Sequence, residues 1–172
     1  YELKAGGTLA SYLSAMTSRK PTTTTGTVYV YDTSSVNTIF NSTNVYRKGA
    51  WAVHMLRGVL GDAAFFQALL AYRAAFQGDS ATTTEFKNAV EQSSGRELDW
   101  FFDQWVMMGG HPVLDVSFGE GKGSVTVKIR QTQKPDELTP LFRFGVHVRI
   151  ETEKGAVTKK LDVTDAEQSF LI

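Results

Sequence analysis

The residue best placed to do chemistry in this chain is Tyr46, which opens the run Tyr46-Arg47-Lys48-Gly49. A phenol in the first turn of a helix has its hydroxyl near the positive end of the helix dipole. Developing negative charge is favoured there, so the hydroxyl can donate to an oxyanion. The alternative for the same residue is a core tyrosine with a satisfied hydroxyl. Other constellations are weaker. His54, His111 and His147 fall on a predicted helix, a loop and a strand, with no second ligand a helical turn away, and no H-E-x-x-H occurs. The chain has no cysteine, which excludes disulfide scaffolds, thiol nucleophiles and thiolate metal sites. Its serines lie in no G-x-S-x-G elbow. Gly119-Glu120-Gly121-Lys122-Gly123 has the glycines of a phosphate loop but sits between two strand patterns, so it reads as a hairpin turn. Glu97 with Asp99, and Glu151 with Glu153, read as solvated faces.

The element that must position Tyr46 is an amphipathic helix from Val45 to Leu60, closed by Gly61. Gly49, Ala52, Leu56 and Val59 recur on one face, widened by Met55 and Leu60. Before it, Leu3, Leu9, Tyr12, Leu13 and Met16 show loose helical spacing, bent at Gly6-Gly7 and ended by Pro21. Residues 22–44 are rich in Thr, Ser and Asn and read as a connecting loop with a β-like patch, Val28-Tyr29-Val30-Tyr31. Within it Asn41-Ser42-Thr43 matches a glycosylation acceptor.

After Gly61, Asp62 reads as the N-cap of a helix with Phe65, Phe66, Leu69, Leu70, Tyr72 and Phe76 on its apolar side. Thr82 and Glu85 form a capping-box pattern for a helix that stops near Gly95. Leu98, Phe101, Phe102, Trp105 and Met108 make the stripe of a helix buried on one side, a wall for the Tyr46 helix. At Gly109-Gly110-His111-Pro112 the period changes from helical to two. Strands are expected over 114–118, 125–129, 142–150 and 157–163, with Phe170-Leu171-Ile172 starting a fifth. The fold class is therefore α+β, with helices confined to 1–109 and antiparallel strands to 113–172.

At 172 residues the chain can hold one good core or two small ones. Lys+Arg and Asp+Glu are both 18, with no concentrated patch of one sign, so nucleic acid and anionic membrane are poor partners. No apolar run approaches a membrane span.

Several of these runs together resemble the zinc aminopeptidases of the alanyl aminopeptidase (aminopeptidase N) family. They are Tyr46-Arg47-Lys48-Gly49, His54-Met55-Leu56, Leu60-Gly61-Asp62, Phe65-Phe66, Thr82-Thr83-Thr84-Glu85-Phe86 and Ser94-Gly95-Arg96-Glu97-Leu98. Trp100-Phe101-Phe102-Asp103-Gln104-Trp105 and Gly110-His111-Pro112-Val113-Leu114 continue the likeness in the family's order. The resemblance covers roughly residues 40–118. It implies that residues 1–111 are the helical C-terminal part of a gluzincin-type metallopeptidase catalytic domain and that 112–172 are a β-sandwich domain, expected to be incomplete. It further implies that Tyr46 donates its hydroxyl to the tetrahedral intermediate of peptide hydrolysis.

The family's zinc is held by two His of an H-E-x-x-H motif and a later Glu, and the Glu inside the motif activates the attacking water. All of these would lie upstream of Tyr1. Zinc is thus implied for a longer parent protein and not for residues of this chain. The implied partners are a peptide substrate and the N-terminal remainder of the catalytic domain, with residues 22–44 bordering the cleft. Arg47 departs from the acidic residue many relatives carry. The competing expectation is a degenerate member serving as a non-catalytic peptide-binding or protein-interaction module, with Tyr46 kept as core.

Overall fold

The computed structural model describes residues 7–21, 25–153 and 155–172, and the expectations at Leu3, Gly6, 22–24 and Lys154 lie outside them. Two compact units divide the chain, Tyr1–Gly109 and Gly110–Ile172. Helices occupy the first and antiparallel strands the second, the α+β arrangement that the change of period implies.

In the first unit α1 (Leu9–Ser18) begins at Thr8 with a capping box to Ser11, and α2 (Val36–Ile39) is a single turn capped by Ser35. The stretch expected to be loop thus holds a turn of helix. The β-like patch at 28–31 joins no sheet. A π-helical segment, Ser42–Lys48, runs directly into α3 (Gly49–Leu60), which buries Ala52, Leu56 and Leu60. Next comes α4 (Asp62–Phe76), with Gly61 rather than Asp62 at the cap. Asp62 instead pairs with Arg57 through two contacts of 2.7 Å. On α4 the buried line is Phe65 and Ala68, while Phe66 and Leu70 are exposed. The apolar side is therefore narrower than expected: Phe65, Leu69, Tyr72 and Phe76 keep to it, and Phe66 and Leu70 do not.

The Thr82–Glu85 capping box is formed at the start of α5 (Thr83–Ser94), and Gly95 ends the helix in the left-handed conformation that glycine adopts without a Cβ clash. The stripe from Leu98 forms α6 (Asp99–Phe102), continued by a second π-helical segment, Asp103–Met107. It buries Leu98, Phe101, Phe102, Trp105 and Val106. Edge-on ring contacts join Tyr72 to Phe86 at 4.9 Å, Phe86 to Phe102 at 6.0 Å and Phe102 to Phe101 at 5.8 Å. One aromatic chain thus ties α4, α5 and α6 together.

In the second unit β1 (Leu114–Gly121), β2 (Ser124–Gln131) and β5 (Glu167–Leu171) form one antiparallel sheet in the order β1-β2-β5. The other sheet is β3 (Phe144–Thr152) with β4 (Gly155–Val163). The Gly119–Gly123 run lies in a β-hairpin: Gly119, Glu120 and Gly121 pair with β2, and Lys122-Gly123 make the two-residue turn. Val127 and Ile129 of β2 share a buried cluster with Leu161 and Val163 of β4, so the two sheets face each other as a sandwich. Phe142, expected inside a strand, lies before β3 and is fully buried. The Gln131 side chain accepts from its N–H at 2.9 Å and donates to its carbonyl at 2.8 Å, replacing a strand partner. Among the described residues no helix is long and apolar enough to cross a membrane.

Candidate functional site

The helix that carries Tyr46 starts earlier than its apolar pattern indicates. Asn41 is its cap: the side-chain Oδ1 accepts from the N–H of Thr43 at 3.0 Å and of Asn44 at 2.8 Å. The Asn41 carbonyl accepts from both Val45 and Tyr46, the second spanning five residues as a π turn does. Tyr46 consequently sits one turn inside the helix, a correction to its expected place in the first turn. The helical Cα–Cβ direction still tilts its side chain toward the N-terminal end. Within this chain Tyr46 is 56% exposed.

Immediately before Tyr46, Asn41, Asn44 and Val45 line a cleft of about 430 Å³. Its other wall is the segment from Gly26 to Asp32, with Asn37 and Thr38 of α2 at the rim. Tyr46 itself is not among the lining residues. The Tyr29 and Tyr31 rings meet edge-on at 4.9 Å. Asp32, the formal charge in this lining, is held below the usual carboxylate range by hydrogen bonds from Ser34.

Two residues after Tyr46, Lys48 is 4% exposed. Its Nζ donates to the carbonyls of Gly26 at 3.0 Å and Met108 at 2.7 Å. No ion pair among the described residues includes it, and burial pushes its ammonium down to about 8. Sequence reasoning passed over this lysine. A signal was present, since Lys48, Ala52, Leu56 and Leu60 fall at intervals of four on the buried stripe.

The end of the second π segment completes the arrangement. Successive carbonyls there accept from the 29–31 segment and from Lys48: Val106 from Tyr29 N–H at 2.9 Å, Met107 from the Tyr31 hydroxyl at 3.4 Å, Met108 from Lys48. These are the carbonyls a helix end leaves without partners. At Gly109 the Thr25 backbone approaches so closely that a Cβ would lie 2.7 Å from the Thr25 oxygen, so only glycine fits.

The histidines do not converge. The Tyr12 hydroxyl of α1 lies 2.8 Å from Nδ1 of His54 on α3, and burial, then the Arg57 charge, lowers the affinity of that imidazole for a proton. His111 precedes β1 and His147 lies on β3 opposite Lys160. Among the described residues no three His, Asp or Glu side chains gather as metal ligands. The described residues therefore do not assemble a zinc site of their own.

Residues 8–105, more than half of the chain, match the model of the peptidase family M1 domain. The chain is similar to aminopeptidase N of Lactococcus lactis, 39% identical over 79 residues, covering 46% of this chain and 9% of that protein. It is also similar to aminopeptidase N of Escherichia coli, 29% identical over 147 residues, covering 77% of this chain and 17% of that protein. Among solved structures, aminopeptidase A of Legionella pneumophila superposes with a TM-score of 0.72 at 18% identity, over 88% of this chain and 18% of that one; the likeness is one of fold. The chain thus spans under a fifth of the length of each of these relatives. On the match over residues 8–105, which includes Tyr46, Lys48 and the helices that follow them, the chain belongs to peptidase family M1.

Proposed function

We propose that this chain is the carboxyl-side part of an M1 aminopeptidase, in which the Tyr46 hydroxyl stabilises the tetrahedral intermediate as an N-terminal residue is cleaved from a peptide. In this reading residues 1–111 belong to the catalytic domain and 112–172 to the sandwich that follows it. The observation that carries the proposal is the setting of Tyr46: an exposed phenol on a turn fixed at Asn41 on one side and Lys48 on the other, next to the cleft. An exposed, well-braced donor suits a charge that forms only during attack, because its orientation is established before the reaction.

The family's zinc would be held by residues outside this chain. The isolated 172-residue chain is accordingly expected to lose zinc on dialysis and to release no chromophore from an aminoacyl anilide; stoichiometric retained metal or turnover would contradict this.

Tyr46→Phe in the full-length protein tests the role of the hydroxyl, since it keeps the ring and removes the donor. By analogy with the loss of one oxyanion donor, kcat should fall roughly 100- to 1,000-fold with KM changed much less.

A further inference from the structure

We propose that Lys48 is a positioning residue for this reaction, fixing the cleft wall at Gly26 and the helix end at Met108 to the turn that bears Tyr46. The inference rests on the role given to Tyr46 above. Its starting point is an anomaly: a buried cation costs several kcal/mol unless it is compensated, and Lys48 has backbone carbonyls where a carboxylate would be expected. Those carbonyls belong to segments 22 residues before it and 60 after it, so the ammonium is a three-way junction and not a local cap.

The junction joins parts that would otherwise be linked only in pairs. The 29–31 segment is fastened to the helix end at Val106 and Met107 without help from Lys48. Lys48 adds a connection from both of these to the Tyr46 turn. On the other side the Asn44 amide packs against the Gly26 backbone so closely that a Cβ there could not fit. Asn44 Oδ1 is buried there without a hydrogen-bond partner among the described residues. Closing that contact carries a cost, and the bond from Lys48 to the Gly26 carbonyl holds it closed. Met108 O follows the last turn of a helix, where a cation meets the negative end of the dipole.

A double-mutant cycle in the full-length protein tests the inference. Lys48→Met keeps the length of the side chain and removes its donors. Misplacing a reacting group by about 1 Å can cost on the order of 100-fold, so kcat should fall by about 10- to 100-fold with KM within about threefold. In a Tyr46→Phe background the same change should alter kcat by less than about threefold, because the hydroxyl it positions is already gone. Lys48→Arg, which retains charge and donors, should recover part of the loss. Thermal melts accompany each variant. If Lys48→Met is unfolded at the assay temperature, the cycle is run with Lys48→Arg, and the same non-additivity is required.

An equal loss in both backgrounds would overturn the positioning role, since a general effect on folding does not depend on Tyr46. A folded Lys48→Met enzyme with unchanged kcat would overturn it too. Failure of the Tyr46 reading shows separately, as an active Tyr46→Phe single variant, and removes this inference with it.

Discussion

In the helical unit an ammonium is buried, with Lys48 only 4% exposed, whereas in the β unit a phenylalanine, Phe118, stands 75% exposed on a regular strand. Both contradict what residue type alone implies, and for related reasons. Lys48 is covered because three backbone segments meet over it and two carbonyls replace its water. Phe118 is uncovered although register turns it inward. It pairs with Val127, Val116 pairs with Ile129 and Leu114 with Gln131, and residues opposite each other in an antiparallel ladder share a face. The partners on β2 are buried, while Leu114, Val116 and Phe118 are 38%, 55% and 75% exposed. Periodicity decides which way a side chain points; a neighbouring layer decides whether it is buried.

The largest effect that could break this comparison lies on β2. Ile129→Ala removes a side chain with almost no exposed surface from the cluster between the sheets. It should cost about 2–5 kcal/mol in chemical denaturation. A cost below about 1 kcal/mol would mean that the sheets do not share a stabilising core.

A smaller effect should come from Lys48 through pH. Its ammonium is held near 8 in the folded chain against an ordinary 10.5. Below about pH 8 the burial penalty is present in full. Between about 8 and 10.5 the folded state sheds the proton first, so stability should rise with pH, by up to about 3 kcal/mol. A neutral amine keeps two N–H donors for the two carbonyls, so the junction survives. Denaturation curves across this range, with Lys48→Met as reference, check the sign. A rise equally large in the variant would assign the effect to other groups.

The smallest effect should be that of Val116→Ala, at the position paired with Ile129. With its side chain largely in solvent, the substitution should change stability by less than about 0.5 kcal/mol. A cost like that of Ile129→Ala would show that the face over β1 is covered in solution.

Much of the fold was legible because it rests on periodicity. The stripe at Leu98, Phe101, Phe102 and Trp105, the Thr82–Glu85 capping box and the alternation along β2 and β3 each appear in the structure. The start of the Tyr46 helix was hidden. Asn41-Ser42-Thr43-Asn44 has the composition of a loop, and the π geometry that begins there carries no apolar signature. Phe142 fits a strand pattern, yet its backbone partner is a side chain, Gln131, which no pattern encodes. Tyr46 could be singled out by its motif, but its exposure depends on the loops around it. Lys48 needed the structure, because two of the three segments that meet at its ammonium lie far away in sequence.

The account turns on whether the Tyr46 hydroxyl serves the reaction or only the fold, and steady-state kinetics of Tyr46→Phe in the full-length protein, with melting curves alongside, addresses this most directly. The substitution keeps the ring and its apolar contacts, so removing one hydroxyl should leave the melting temperature almost unchanged. The predicted result is a kcat lowered by roughly 100- to 1,000-fold, about 2.7–4 kcal/mol of barrier, at nearly constant KM. A kcat within a few-fold of the parent, or a loss of activity matched by a loss of fold, would contradict it.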